Sequence, residues 1–410
     1  MVYLISDIKF GNGISLIAEL IYISYILIFL TGFSIGNYSK IPISGFGSIS
    51  INRLNIFFLI LTISLFVVYV LFLTNWDISL IFTSPIELKH HRLDLALVQK
   101  DFKLSIIEAV TSSFLTLSLI WAIVGHKDDA YSNRAMILLF LMVLMQVLST
   151  GSRNPLIGFS IIIYLSLYYS YKISNSSNSL FKFINKYKLA FILVIFIYMV
   201  ITTSSRIEFE GLSSDVFVEY FDIRDFGVVE YFFKSQSGAL YLIGTIIVYI
   251  SSTFNNFVIK FQNIFLIDYS YGYQFLFPYI NFFESKSDSY GIDLVSSMKQ
   301  INTNNNDRLV QISASATQWS TPFGDFLWDF GLLGSFFILL IFSMLFGYLT
   351  RFNRIESFTS VSLKIIFLSS LILPLVNPFS SLQFHISILI IIFINLSIVL
   401  KKRLLIDAQS

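Results

Sequence analysis

The stretch GALYLIGTIIVYISSTFNNFV, residues 238 to 258, decides how this chain is threaded. Its first half is as apolar as a membrane span, and its second half turns rich in Ser, Thr and Asn. Hydropathy alone leaves two readings open: a full crossing, or a helix that lies along the membrane surface or re-enters it. The charges on either side separate the two.

Composition already implies a membrane. Of 410 residues 55% are hydrophobic and 13% charged, with a mean hydropathy of +0.76, which excludes a water-soluble globule. There is no Cys, so disulfides, iron–sulfur clusters and thiolate zinc sites are excluded. The net charge of +2 points to no particular partner, and no nucleic-acid partner is expected. At the N-terminus, MVYLISDIKF lacks the basic region and cleavage site of a signal peptide and reads as a short tail before a retained span. Apolar windows suited to crossing about 30 Å of hydrocarbon, about 20 residues each, fall near 14 to 36, 54 to 74, 104 to 125, 135 to 150, 155 to 172, 188 to 204, 326 to 349, 359 to 379 and 383 to 400. That makes nine, with 238 to 258 a tenth candidate.

The positive-inside rule places two segments in the cytoplasm. One is the loop 172 to 188, with Lys172, Lys182, Lys186 and Lys188 and no acid; the other is the tail beginning Lys401, Lys402, Arg403. An even number of crossings must separate them. Between 188 and 400 there are four spans without the segment 238 to 258 and five with it. That segment is therefore expected to form an interfacial or re-entrant helix.

The expected fold is an all-α polytopic membrane protein of about nine or ten transmembrane helices. Residues 1 to 204 carry N-terminal spans with short loops, 205 to 325 form a large outer-face region, and 326 to 410 carry the last spans and a cytoplasmic tail. The charge of the middle region agrees. Residues 205 to 237 hold three bases against seven acids, a net of −4, and residues 259 to 325 hold four bases against six acids, a net of −2. The same counting leaves the N-terminus outside.

On that outer face, an arginine in a hairpin as short as TGSRNPL, residues 150 to 156, gains nothing from the charge rule. Two roles fit Arg153. It can snorkel to lipid headgroups or cap a helix end. Alternatively it clamps an anion, since a guanidinium binds phosphate oxygens bidentately and the helix opened by Asn154 and Pro155 favours negative charge at its start. Arg206 (ITTSSR), Arg224 (YFDIRDFG) and Arg308 (NNNDRLVQ) share the same face, and four guanidiniums there fit a pyrophosphate. Arg224, with Asp222 and Asp225 beside it, equally fits a solvated ion pair.

A second informative stretch is TQWSTPFGDFLWDFGLLGSFFILLIFSMLFGYL, residues 317 to 349. Trp319, Phe323, Trp328 and Phe330 suit an interfacial aromatic belt, and Gly331 with Gly334 permits close helix packing. Asp325 and Asp329 stand at the mouth of the span, where acids are expensive and usually have a purpose.

These pieces together resemble the O-antigen polymerase family of the Wzy-dependent pathway. The likeness runs over most of the chain: the short Ser-Arg hairpin TGSRNPL, the Lys-rich inner loop followed by a span, the long outer region with YLIGTIIVYISSTFNNF and YGYQFLFPYI, and the aromatic WDFGLLG before a late span. The DFG triplet is unrelated to that of kinases, because no Gly-rich loop or HRD accompanies it. What the resemblance implies is a GT-C type glycosyltransferase of the bacterial inner membrane, active on its periplasmic side. It would move a growing glycan from undecaprenyl pyrophosphate onto an incoming lipid-linked repeat, with membrane lipid around it and chain length set by a separate co-polymerase.

The residues suit that chemistry in their own right. The leaving pyrophosphate gains negative charge in the transition state, and fixed arginines (Arg153, Arg206, Arg224, Arg308) supply the stabilisation a metal could otherwise give. No metal or cofactor is called for: the outer region has no DxD motif, and the four His are His90, His91, His126 and His385. A general base for the acceptor hydroxyl would be an outer-face carboxylate, with Asp325, Asp329 and Glu219 the candidates; each also fits a solvated or helix-opening acid. The helix at 238 to 258, beside YGYQFLFPY, would shape a cleft with a polyprenyl tail below and sugars stacked on Tyr and Trp above, though an aromatic belt explains the same residues. The run NTNNND, 302 to 307, reads as a flexible loop that orders on substrate.

Two other functions fit parts of this pattern. An O-antigen ligase shares the architecture. A lipid-linked oligosaccharide flippase or other transporter would show internal repeats, broken helices and midplane charge; no repeat is found, and Glu19 and Glu108 are the acids within spans.

Overall fold

A computed structural model of the chain describes residues 9–10, 16–39, 55–74, 102–125, 130–150, 153–174, 200, 223–234, 238–266, 268–273, 276, 293–311, 322–350, 358–372 and 383–394. Helix takes up 93% of the described residues, so the fold is all-α, as composition and apolar spacing require. The elements begin with strand β1 (Lys9–Phe10), then α1 (Leu16–Tyr38), α2 (Asn55–Leu73), α3 (Phe102–Val124), α4 (Ala130–Thr150) and α5 (Arg153–Ser174). Strand β2 (Ile223–Asp225) and the short α6 (Glu230–Lys234) precede α7 (Gly238–Gln262) and α8 (Asp293–Val310). Helices α9 (Pro322–Thr350), α10 (Phe358–Ile372) and α11 (Gln383–Ile394) follow.

A helix stands at every expected span except 188 to 204, of which only residue 200 is described. Four of them, Leu16–Tyr38, Ile56–Leu73, Ile106–Val124 and Phe323–Tyr348, are long and apolar enough to cross a membrane. Their outward residues point the same way. On α9 the residues Leu333, Phe337, Ile341 and Leu345, one turn apart, are exposed, whereas Ser335, Leu339, Ser343 and Phe346 are buried. A helix with apolar groups outside and small polar groups inside is matched to lipid rather than water.

The chain divides into two compact units, neither continuous in sequence. The first comprises Met1–Asn37, Leu193–Gly347 and Leu373–Ser380, so α1 joins the region after 193 instead of the spans that follow it. Small residues explain that partnership. Gly32 and Gly36 of α1 are buried; a methyl at Gly32 would strike Ser343, and one at Gly347 would strike the Phe33 carbonyl. The two helices thus approach closely along small-residue stripes. Around that seam Tyr25 stacks on Phe323 at 5.3 Å and its hydroxyl is hydrogen-bonded to Ser335.

Elsewhere in this unit β1 pairs antiparallel with β2, placing Lys9 opposite Asp225. From β2 the chain turns through Gly227–Val229 into α6, and Ile223, Val229 and Phe233 pack on Tyr241 and Val248 of α7. The apolar part of α7, Ala239–Val248, is about half the length a span needs. Beyond it Ser251, Ser252, Asn255, Asn256 and Lys260 are all buried, so the polar half of the helix is enclosed by protein.

The second unit comprises Tyr38–Ile192, Tyr348–Ile372 and Ser381–Ser410. Helix α3 is central, touching α2, α4, α5 and α10. Its Ser and Thr side chains form the cross-links: Thr62 with Ser118 at 2.7 Å, Ser113 to the Gln383 carbonyl at 2.9 Å, and Gln383 to Thr116 at 3.2 Å. With no water to compete, such bonds hold apolar helices in register.

Candidate functional site

The region the sequence marks by WDFGLLG is a broken helix. Within α9, Gly331 has φ 66 and ψ −175, outside the helical range and in a region open essentially to glycine alone. A break of this kind releases the carbonyls of the preceding turn, and they need donors. The segment 268–273 supplies them: Tyr271 N donates to the Asp329 carbonyl at 2.9 Å, and Ser270 N approaches the Trp328 carbonyl at 3.5 Å. Ser270 Oγ donates to the Asp329 carboxylate at 2.7 Å. Asp329 is fully enclosed and works here as a brace between the turn and the broken helix.

Helix α8 fixes the same turn from the other side. Asn305, itself buried, donates to the Asp268 carbonyl at 2.6 Å and accepts from Asp268 N at 3.0 Å. Arg308 donates to the Leu266 carbonyl at 2.8 Å and pairs with Asp268 at 3.1 Å, both side chains exposed. The Asn run is therefore helical and partly buried, correcting the loop expected for 302 to 307. Tertiary hydrogen bonds to Asp268 and the packing of Leu309 on Ile259 and Trp328 outweigh the low helix propensity of Asn.

One turn before Asp329, Asp325 meets a cation. Lys260, near the end of α7, lies 3.3 Å from its carboxylate and 4.4 Å from the centre of the Trp328 ring. The lysine side chain is 3% exposed and that of Asp325 12%, so this is a buried ion pair. Burial pulls the Lys260 ammonium below the ordinary lysine value, against the opposing charges of Asp325 and Asp329. Lys260, Ile264, Tyr269, Leu327 and Trp328 line a shallow depression at this point. Around it Phe265, Leu266, Tyr269 and Tyr271 are exposed.

Of the expected site residues, Asp325 and Asp329 therefore come together, four apart on one helix, and Arg308 belongs to the same scaffold through Asp268. Arg224 is exposed on β2, where Asp225 accepts from Gly227 N at 2.9 Å. Arg153 is the first residue of α5, as the Arg-Asn-Pro opening suggests. Arg206 and Glu219 lie outside the described residues. Sequence reasoning missed Lys260, Asn305 and the turn 268–273. Among the described residues no three His, Asp or Glu side chains converge as a metal ion would need.

Fold and site together define a helical membrane protein whose enclosed charges gather at the mouth of one broken span. No protein-family model, no curated protein and no solved structure matches this chain.

Proposed function

We propose that this protein is a metal-independent glycosyltransferase of the bacterial inner membrane that polymerises undecaprenyl-pyrophosphate-linked oligosaccharide repeats, an O-antigen or related surface-polysaccharide polymerase. The observation that carries the reading is the Lys260–Asp325 pair at 3.3 Å, at the mouth of an apolar span and beside exposed Tyr269 and Tyr271. A substrate that is half lipid and half sugar needs that combination of apolar helix, aromatic faces and enclosed charge. The likeness to the polymerase family over the hairpin, outer region and WDFGLLG adds the substrate class. The GT-C-like architecture, the outer-face region 205 to 325, the periplasmic orientation and the separate co-polymerase belong to the same proposal.

In that reaction the acceptor hydroxyl oxygen attacks the anomeric carbon of the donor, the bond from that carbon to the diphosphate oxygen breaks, and undecaprenyl diphosphate leaves with the electron pair. The hydroxyl proton passes to a carboxylate. Asp325 is the strongest base candidate, because its carboxylate keeps some exposure while Asp329 is committed to Ser270; Glu219 remains a candidate from the sequence. Arg308, with Arg153, Arg206 and Arg224, would meet the developing diphosphate charge.

Deleting the gene and running the surface glycolipid on a gel tests the proposal. A core bearing a single repeat, with the ladder lost and then restored by the wild-type gene, is the expected result. An intact ladder would refute the proposal, and a core with no repeat would replace it with a ligase or flippase. The break at Gly331 gives the flippase reading its one point of support, since broken helices are common in transporters.

A further inference from the structure

Helix α9 is folded back on itself at Gly331. Along a straight helix Phe326 and Phe342, sixteen residues apart, would be separated by about 24 Å, yet their ring centroids lie 6.3 Å apart. Tyr25 of α1 touches both sides of the break, stacked on Phe323 before it and 4.8 Å from Phe336 beyond it. Gly331 is thus the tip of a helical hairpin, with a short arm 322–330 and a long arm 332–350. At about 28 Å the long arm alone matches the hydrocarbon thickness. Its outward stripe of Leu333, Phe337, Ile341 and Leu345 begins two residues past the tip.

The turn that braces the tip, residues 264–266 and 268–272, carries an apolar surface of its own. Tyr269 covers Gly331, with its Cε1 2.6 Å from where a Cβ there would stand, and Gly272 packs on Phe330. From that turn Phe265, Leu266, Tyr269 and Tyr271 are exposed, Phe265 to 97%. Their backbone is firmly held: Arg308 donates to the Leu266 carbonyl, Asn305 bonds both backbone groups of Asp268, and Tyr271 N–H donates to the Asp329 carbonyl. Trp328, which the sequence offers for an interfacial belt, is by contrast enclosed. Four large apolar side chains held outward together are a costly surface to leave in water. Here they adjoin the start of a lipid-facing stripe, and the exposed Arg308–Asp268 pair borders them. Aromatic rings beside charge, at the end of an apolar span, are the composition of the headgroup boundary.

We propose that this turn and the hairpin tip form an anchor that beds in the headgroup boundary of a phospholipid bilayer and fixes the depth of the broken helix. The occupant follows from continuity: the surface runs on from the stripe of α9 that is matched to lipid, so one solvent covers both. Asp325 stands six residues before the tip, about 9 Å back along the short arm and on the hydrocarbon side of the boundary. That depth accounts for the enclosure of Asp325 and Lys260, since charge at such a level is expensive unless protein surrounds it. The inference needs only a membrane and stands apart from the polymerase reading.

The chain has no Cys, so single cysteines can carry a nitroxide spin label to chosen positions. The test places the full chain in liposomes of phosphatidylethanolamine and phosphatidylglycerol, labelled in turn through Phe265→Cys, Tyr271→Cys, Phe337→Cys and Gln300→Cys. For each label the collision rates with oxygen, which concentrates in lipid, and with a water-soluble nickel chelate are measured. Gln300 is an exposed polar residue of α8, and Phe337 an exposed residue of the α9 stripe. Labels at 265 and 271 are expected about 5–10 Å inside the boundary and far less accessible to nickel than the label at 300. They should also lie shallower than the label at 337 by up to about 9 Å, the rise over the six residues from the tip to Phe337. Both side chains are exposed, so these cysteines leave the core intact, and Leu266→Cys supplies a third position in the same turn. Nickel accessibility equal to that at 300 would overturn the anchor and assign the aromatic surface to a water-borne ligand such as a sugar. Shielding from both reagents would overturn it in favour of a protein partner or a second copy of the chain. Labels as deep as that at 337 would overturn it by placing the tip within the hydrocarbon.

Discussion

Replacing Gly331 by alanine separates the broken helix from a merely bent one. The residue sits at φ 66 and ψ −175, where a side chain costs about 1–3 kcal/mol in backbone strain. The added Cβ would also stand 2.6 Å from Tyr269 Cε1 and 2.7 Å from its Cζ. Tyr269 is exposed enough to swing away, so the collision adds only the low end of an overpacking cost, about 1 kcal/mol. The sum is about 2–4 kcal/mol, concentrated where segment 268–273 docks. Hydrogen exchange reads it directly, because Tyr271 N–H is held by the Asp329 carbonyl at 2.9 Å. Exchange at Tyr271 should quicken by roughly 30-fold to 1,000-fold in Gly331→Ala while the spans remain protected. Adding Tyr269→Ala should return the steric part and leave the strain. Unaltered exchange in a folded Gly331→Ala protein, or full recovery on adding Tyr269→Ala, would refute the reasoning.

Asn305→Ala removes both hydrogen bonds to the Asp268 backbone and leaves two polar groups unmatched, so about 2–4 kcal/mol of local protection at 268–273 should vanish, measured by the same exchange. The Lys260 shift has a definite sign. Burial lowers the folded value, so between it and the unfolded lysine value of about 10.4 the unfolded chain binds more protons and stability rises with pH. Melting in detergent should show that rise in the wild type and lose it in Lys260→Met/Asp325→Leu, a pair chosen so that no buried charge is stranded. Arg153→Ala should leave an inserted protein that makes little polymer, and Arg153→Lys, without the bidentate fork, an intermediate amount on the gel; a full ladder from the alanine variant would return Arg153 to a headgroup role.

How much of the fold can be read from sequence depends on where each helix gets its energy. The spans are legible because a long apolar run has one good solution in lipid, a helix, whatever its neighbours are. Pairing is different. GFSIG in α1 shows a close-packing stripe, yet nothing local says that the stripe it meets is Ser343 and Gly347 rather than one in the adjacent spans. The Asn run shows the same limit in reverse. Its local preference is for loop, and only contacts with Asp268, some forty residues away, make it a helix.

Half of the site is legible in the sequence, and the other half is hidden by the distance between the partners. Asp325 and Asp329 stand out because acids beside hydrocarbon are costly. Lys260 is one of four bases between 259 and 325, and it stands two residues beyond Val258, where the apolar stretch ends. A buried acid, however, obliges the chain to supply a partner from somewhere. The bases between 259 and 325 are Lys260, Lys286, Lys299 and Arg308, and only Lys260 directly continues an apolar run, GALYLIGTIIVYISSTFNNFVIK. A lysine placed there is carried by its helix into the same enclosed layer that makes the aspartates expensive. The separation of 65 residues between Lys260 and Asp325 hides the pair from any local pattern, whereas the energetic demand made by the acid points to it.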